Sequence, residues 1–149
     1  MSRSWIWQWS IIQIDNTRFG SATIQIRNEH LRYWRVEKEE IRRLAEKNTP
    51  RIYPVQIRQI VRFMYVATNE QCSLGAAVMR YPDFRKKVRG MIRGDFYILP
   101  SSIHEVILVP ESFGLEPERM QEMVKEINQT GVAPEEVLSD SVYYFDGEE

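Results

Sequence analysis

The chain has 149 residues, 43% of them hydrophobic and 28% charged, with a net charge of -1 and one cysteine, Cys72. A chain of this length buries roughly two-thirds of its unfolded surface, so it needs no disulfide or metal to fold. One cysteine excludes an internal disulfide and a cysteine-rich metal site, and no apolar run approaches the roughly 20 residues of a membrane helix. Residues 1–9 lack the long apolar core of a secretory signal, so we expect a cytoplasmic protein that does not enter a membrane.

The N-terminal part of the chain predicts a β-hairpin. Residues 5–14 and 22–26 both alternate in type with a period of two, which favours strands, and the polar residues 15–17 suit a turn. No basic residue stands among the tryptophans of the first strand, whereas nucleotide stacking platforms usually combine aromatic and basic side chains. We therefore expect these tryptophans to cover one side of a sheet, or to contact a protein partner or a second copy of the chain. They are Trp5, Trp7 and Trp9.

Two helices are predicted to follow the hairpin. Asn28 suits the N-cap of a short helix, and a second helix opens at residues 36–40 with apolar residues spaced by three and four. Residues 48–50 should end the second helix, because the residue before Pro50 is pushed out of the α region. Residues 51–62 mix basic and apolar side chains, which predicts a loop followed by a short helix or by the approach to a strand.

The middle of the chain predicts a second hairpin and a basic helix. Residues 63–68 favour a strand, residues 69–71 a turn, and residues 74–79 the returning strand. Residues 83–93 place apolar side chains on one side and basic side chains elsewhere, which is typical of an amphipathic helix that packs on a sheet.

Residues 96–110 are the most apolar stretch of the chain and predict a strand, a polar bend and a second strand. A helix over residues 118–129, a short helix over residues 133–138 and a last strand over residues 142–145 complete the pattern. We therefore predict an α+β fold, with residues 1–149 forming a single domain. Its sheet should be mainly antiparallel and built from β-hairpins, with helices packed on one face.

The net charge of -1 hides a strong asymmetry along the chain. Residues 1–93 carry 18 basic against 8 acidic residues, a balance of +10, whereas residues 94–149 carry 2 against 13, a balance of -11. In one interpretation the two parts fold against each other and their fields cancel. In the other, the protein has a basic face that binds nucleic acid or an acidic partner, and a separate acidic face. The candidate binding residues are Arg51, Arg58, Arg62, Arg85, Lys86, Lys87 and Arg89.

The only cluster of Ser, His and Glu in the chain lies within residues 96–110. Ser102, His104 and Glu105 have the residue types of a nucleophilic triad, so a hydrolase centred on Ser102 and His104 is one hypothesis. Alternate residues of a strand point to opposite faces, and Glu105 should therefore point away from the other two. The preferred interpretation is structural: serine hydroxyls bond backbone groups at the bend, and no residue is assigned as catalytic or metal-binding.

Several segments of the chain resemble one known family. They are residues 47–51, 63–78, 98–110, 132–140 and 142–144. Through them the chain, over about residues 20–146, resembles the C-terminal part of the domain of unknown function 5688 family, which is found mainly in Firmicutes bacteria. The resemblance implies a bacterial, intracellular protein. Family members are typically about twice as long, which implies that this chain corresponds to their second half, and the family has no established catalytic residues.

These observations lead to one preferred function and two alternatives. We expect a non-enzymatic intracellular binding or interaction module without a cofactor, of a regulatory kind or encoded on mobile DNA. The first alternative is a nucleic-acid-associated protein that uses its basic residues, and its affinity would fall steeply as salt rises. The second alternative is the hydrolase centred on Ser102 and His104.

Overall fold

A computed structural model describes three stretches of the chain: residues 10–16, 20–100 and 102–146. Three tryptophans of the predicted first strand and one serine of the predicted bend lie outside the described residues. They are Trp5, Trp7, Trp9 and Ser101. The chain divides into two compact units, Met1–Arg51 and Ile52–Glu149. A single domain over residues 1–149 stays a prediction.

The first unit contains a hairpin and two helices. Strand β1 (Ser10–Asn16) pairs antiparallel with strand β2 (Gly20–Gln25), so the predicted hairpin is confirmed for the described residues. Helix α1 spans Asn28–Trp34 and helix α2 spans Lys38–Ile52, and both were predicted. Helix α1 ends at Arg35, whose left-handed backbone (φ 55°) turns the chain out of the helix.

Helix α2 does not end where the sequence predicted. Pro50 lies inside its last turn, and the helix continues to Ile52. A proline removes one N–H donor and crowds the carbonyl four residues earlier, but in a last turn few helical bonds remain to be lost. The prediction that residues 48–50 stop the helix was therefore wrong, because the disruption falls where the helix is ending.

The second unit contains one five-stranded sheet in which all neighbouring strands are antiparallel. Its strands are β3 (Val55–Val61), β4 (Met64–Asn69), β5 (Phe96–Leu99), β6 (Val106–Pro110) and β7 (Tyr143–Phe145). Their order across the sheet is β3-β4-β6-β5-β7. The predicted β5–β6 hairpin and the predicted last strand are confirmed. Of the alternatives left open for residues 51–62, the strand β3 is observed.

Two helices of the second unit lie close to their predicted positions. Helix α3 spans Phe84–Ile92 and helix α4 spans Pro117–Thr130. Each helix buries side chains spaced four residues apart, which is the spacing that brings residues onto one side of a helix. The buried residues are Phe84 and Val88 in α3, and Met120 and Val124 in α4.

These two helices cover opposite faces of the sheet. Ile98 of β5 belongs to the apolar cluster around α3, whereas the next residue, Leu99, belongs to the cluster around α4. Neighbouring residues of a strand point to opposite faces, so the clusters lie on the two sides of the sheet. The α+β class is confirmed, but the placement of the helices on one face was wrong. Strands β5 and β6 are buried almost continuously, which is typical of a sheet covered on both sides.

The segment predicted as a strand over residues 74–79 is instead a 3-10 helix, Gly75–Arg80. Strand β4 already has β3 on one side and β6 on the other, so it offers no free edge to a returning strand. The N–H of Ala76 donates to the carbonyl of Ile103 at 3.1 Å, which docks the 3-10 helix on the bend between β5 and β6. The small residues of this segment therefore serve close docking and not strand pairing.

The segment predicted as a short helix over residues 133–138 is a turn. The carbonyl of Glu136 accepts a hydrogen bond from the N–H of Ile103 at 2.9 Å, and Val137 forms an isolated bridge with Ser102. These bonds hold the segment against the bend between β5 and β6. Backbone groups that a helix would have used internally are thus bonded to another part of the fold, and the prediction of a helix was wrong.

Candidate functional site

Helix α3 separates an apolar inner side from a basic outer side. Phe84 and Val88 are almost completely buried against the sheet, and Ile92 packs against the same cluster one turn later. Because an α-helix has 3.6 residues per turn, the residues between these positions face outward. The exposed ones are Arg85, Lys86, Lys87, Gly90 and Met91.

The basic charge of the second unit is concentrated on α3 and the residues that flank it. Residues 80–93 contain six basic residues and one acidic residue, a net charge of +5. The remaining residues of Ile52–Glu149 contain four basic and fourteen acidic residues, a net charge of -10. Helix α4, on the opposite face of the sheet, carries three exposed glutamates and directly follows Glu116. Helix α4 also carries Arg119 and Lys125, so the sheet separates a basic helix from one with a net charge of -1.

Two arginines of α3 reach toward the edge of the sheet formed by β5 and β7. The Arg85 Cζ lies 4.6 Å from the centroid of the Phe145 ring, which is a cation–π contact. The Arg89 Nη2 lies 3.6 Å from Asp95 Oδ1, an ion pair that is partly exposed and therefore contributes little to stability. These contacts place part of the basic surface beside β7.

The outer side of α3 also offers charges that are available to a ligand. Among the described residues, no acidic side chain lies within ion-pair distance of Lys86, Lys87 or Arg93. Gly90 lies among them, and a Cβ added there would meet no atom within 4 Å. A ligand can therefore approach the helix backbone at Gly90 while the surrounding cations contact it.

The other three candidate binding residues lie elsewhere. Arg51 is exposed in the last turn of α2, in the first unit. Arg58 stands opposite Val66 in the β3–β4 pair, and the neighbouring Ala67 belongs to the cluster around α3, so Arg58 lies on the α4 side of the sheet. Arg62 lies in the turn after β3. The four candidates that share one surface are Arg85, Lys86, Lys87 and Arg89.

An exposed aromatic residue on β7 lies on the same face of the sheet as α3. Tyr143 pairs with Ile98 and Phe145 pairs with Phe96, and both partners belong to the cluster around α3. Tyr143 is 49% exposed. The sequence predicted the strand that contains Tyr143, and alternation put Tyr143 and Phe145 on one of its faces. Only the strand order reveals that this face borders α3, so Tyr143 was missed as a candidate.

The next residue, Tyr144, points to the opposite face. Its ring lies 4.9 Å from the Tyr97 ring, and its hydroxyl lies 3.5 Å from Asp95 Oδ2. Desolvation, followed by the neighbouring Glu111, raises the pKa of Tyr144 to about 12. Tyr143 and Tyr144 are therefore adjacent tyrosines in different surroundings, because Tyr143 is on the α3 side of the sheet and Tyr144 lies beside carboxylates.

One comparison with known proteins gives a match. A family model described as a family of unknown function, DUF5688, matches residues 10–64 and 59–147. The chain belongs to the family DUF5688. The family assignment made from the sequence is therefore confirmed for this member. No curated protein matches the chain, and no solved structure matches it.

In this member of DUF5688, His104 uses both ring nitrogens within the fold. Its Nδ1 accepts a hydrogen bond from the N–H of Leu74 at 3.1 Å, and its Nε2 lies 3.2 Å from Glu136 Oε1. The Ser102 Oγ accepts a hydrogen bond from the backbone N–H of His104 at 3.0 Å. The serine thus bonds a backbone group at the bend, as the structural interpretation predicted. Glu105 is exposed.

The backbone of His104 also contacts two other elements of this chain. Its carbonyl accepts a hydrogen bond from Thr68 Oγ1 at 2.8 Å. A Cβ added at Gly75 would lie 2.5 Å from this carbonyl and would also overlap Thr68 Oγ1, so the position has no room for a side chain. These contacts join β4, the 3-10 helix and the bend between β5 and β6 at one residue.

Metal sites and membrane-spanning helices are two further classes of feature that bear on function. No group of three or more His, Cys, Asp or Glu side chains in the described stretches is arranged to hold a metal ion. Within the same stretches, no helix has the length and apolar character that crossing a bilayer requires. Cys72 is exposed in the segment before the 3-10 helix.

Proposed function

We propose that this protein is a non-enzymatic binding module that recognises an anionic macromolecule through the basic side of α3, in the cytoplasm of a Firmicutes bacterium. The observation that carries the proposal is the concentration of basic residues on α3 and beside it. An anionic ligand that approaches α3 meets a net charge of +5 in residues 80–93. The same ligand is repelled by the acidic residues of the rest of the unit, so the field both attracts it and orients it.

The composition of the basic side suits phosphate-bearing ligands. Lys86 and Lys87 are exposed on α3, and Arg93 is exposed directly after it. An ammonium group binds phosphate as a compact point charge, whereas a guanidinium can bind it through two hydrogen bonds. Gly90 lets a phosphate approach the helix without meeting a side chain.

The surroundings of His104 support a binding function over hydrolysis. A general base must lie within about 2.6–3.2 Å of the group whose proton it removes. The ring nitrogens of His104 instead bond the N–H of Leu74 and the carboxylate of Glu136. The Ser102 hydroxyl accepts from the His104 backbone, which is a role in the bend and not in nucleophilic attack.

Reversal of charge on α3 tests the proposal. We expect the double variant Lys86→Glu/Lys87→Glu to bind labelled single- and double-stranded oligonucleotides at least about 100-fold more weakly than the wild type at about 50 mM salt, because two attractive contacts become repulsive. The matched control is Arg119→Glu/Lys125→Glu, which changes the net charge equally on α4. This control should change the affinity by less than about threefold, measured by fluorescence anisotropy.

The salt dependence gives a second measure of the same surface. Three cations that each neutralise a phosphate predict a slope of log affinity against log salt of about -2.7 for duplex and about -2.1 for single strands. The α3 variant loses two of the three contacts, so its slope should fall to about one third of the wild-type value. An equal loss of affinity in the two double variants would show an effect of net charge only and would contradict the proposal. Absence of binding by the wild type to every polyanion tried would also refute it.

A further inference from the structure

We infer that the ligand is a single-stranded nucleic acid whose phosphates lie along α3 and one of whose bases stacks on Tyr143. The inference rests on the proposed function and adds the class of polyanion. Helix α3 supplies the positive charge and β7 supplies the aromatic surface. The contact between Arg85 and Phe145 joins the two, since it links the basic helix directly to β7.

The spacing along β7 places the tyrosine ring beside the basic surface. Tyr143 and Phe145 are neighbours on one face of a strand, and such neighbours lie about 7 Å apart. The Arg85 Cζ lies 4.6 Å from the Phe145 ring centroid. One side-chain step along β7 therefore separates the guanidinium group from the tyrosine, and a nucleotide is large enough to contact both.

Tyr143, and not Phe145, is the ring that is available for stacking. The Phe145 ring stacks on Phe96 at 5.6 Å between centroids, and Arg85 lies over it as well. Within the described residues, no other ring stacks on Tyr143, and this side chain is 49% exposed on an edge strand. A base can therefore stack there without displacing a protein group.

A single strand uses both parts of this surface, whereas other polyanions use only one. Unpaired bases expose their π-faces, and proteins that bind single strands combine a positive surface with aromatic side chains on which these faces stack. In a duplex each base is already stacked on its neighbours, so Tyr143 would add nothing. An acidic polypeptide would meet the same cations but has no base to stack. Duplex and polyglutamate are therefore the reference ligands.

Tyr144 provides a matched control for Tyr143. It is the adjacent residue, is exposed to a similar degree (45%), and points to the opposite face of the sheet. Its ring contacts Tyr97 on that face, so it offers no stacking surface on the α3 side. Replacing either tyrosine removes one aromatic ring from β7, but only one of the two replacements removes the proposed stacking surface.

The test compares ligands and variants by fluorescence anisotropy. The probes are a labelled thymidine oligonucleotide of about 15 residues, the duplex that it forms with the complementary adenosine oligonucleotide, and labelled polyglutamate. A length of about 15 residues covers the usual site sizes. We expect the single strand to bind most tightly. Tyr143→Ala should weaken single-strand binding about tenfold, the scale of one base–aromatic stack, and leave duplex binding unchanged. Tyr143→Phe should restore binding, and Tyr144→Ala should leave it as in the wild type.

Crosslinking gives a readout that does not depend on affinity. Irradiation of the wild type with an oligonucleotide that contains 5-iodouridine should attach the base to Tyr143, which mass spectrometry of the peptides identifies. Equal affinity for single strand and duplex, or full single-strand binding by Tyr143→Ala with the crosslink elsewhere, would overturn the inference. If Lys86→Glu/Lys87→Glu still abolishes binding in that case, the proposed function stands. Absence of binding to all three probes would overturn both.

Discussion

Helices α3 and α4 meet the same packing requirement and carry different charges. Each helix buries two side chains, four residues apart, against one face of the same sheet. On their outer sides, α3 carries four basic residues and no acidic residue, whereas α4 carries three glutamates and two basic residues. Packing fixes one side of each helix and leaves the other side free to vary. The difference between the two outer sides is therefore the feature on which the proposed function rests.

The largest expected effect comes from truncating the side chains that the two helices bury against the sheet. Phe84→Ala in α3 should lower the free energy of unfolding of the second unit by about 3–5 kcal/mol, and Met120→Ala in α4 should lower it by about 2–5 kcal/mol. Both side chains are fully buried against the one sheet. Urea denaturation followed by far-UV circular dichroism and tyrosine fluorescence would measure the loss.

The matched control for these truncations is Met91→Ala, since Met91 is 41% exposed on α3. We expect it to cost less than about 1 kcal/mol. In a contrary result, a core variant would unfold only the helix that carries the substitution, and the rest of the unit would unfold at the wild-type urea concentration. The two faces would then not share one cooperative core.

An intermediate effect depends on pH and concerns the α3 side of the sheet, against which Tyr81 packs. Tyr81, which precedes α3, donates its hydroxyl to the carbonyl of Tyr53 at 2.8 Å. Burial, and then the neighbouring Tyr53, raises the pKa of Tyr81 from the ordinary 10.0 to about 12. The folded protein therefore keeps the phenol proton where the unfolded chain has lost it. This contribution to stability is complete below pH 10 and is lost as the pH rises toward 12.

Tyr81→Phe should change stability in two ways. Near pH 7 it loses a partly buried hydrogen bond, about 1 kcal/mol. Between about pH 10 and pH 12 its stability should decline less than that of the wild type, by about 1–2 kcal/mol after allowance for solvent exposure. Urea midpoints at these pH values measure both effects. The same decline in Tyr81→Phe as in the wild type would contradict the assignment.

The smallest expected effect concerns the outer side of α3 alone. Gly90→Ala should raise the free energy of unfolding by about 0.5–1 kcal/mol, because glycine is a poor helix former and the new methyl group meets no atom within 4 Å. Thermal unfolding would measure the gain. Gly75→Ala should instead lower the free energy of unfolding, since its Cβ would lie 2.5 Å from the His104 carbonyl oxygen. A loss of stability in Gly90→Ala would mean that the helix surface is not open there.

The sequence predicted those elements whose residues leave a local pattern. Helices α3 and α4 lie close to their predicted positions because burial on one side produces a helical period, and the β5–β6 hairpin was found because two apolar runs flank a polar bend. Residues 74–79 and 133–138 were assigned wrongly. Both segments are held by hydrogen bonds to Ile103, more than twenty residues away, and such bonds leave no local pattern.

The candidate surface was predicted in part. The basic residues of α3 follow from the sequence, since a helix over residues 83–93 brings them together. The position of Arg58 on the other side of the sheet, and of Tyr143 on the same side as α3, depends on which strands are neighbours. Strand order is a property of long-range pairing, and neither alternation nor composition determines it.

Because β7 is short, we expect ligand binding to be coupled to the pairing of β7 with β5. This strand has three residues and lies at the sheet edge, where opening requires the least free energy. Tyr143 and the Phe145 ring beneath Arg85 leave together when β7 detaches. A ligand stacked on Tyr143 binds only the attached strand, and so it stabilises the attached state by mass action. Protection of the β7 amides from solvent exchange should therefore increase as the ligand occupies α3.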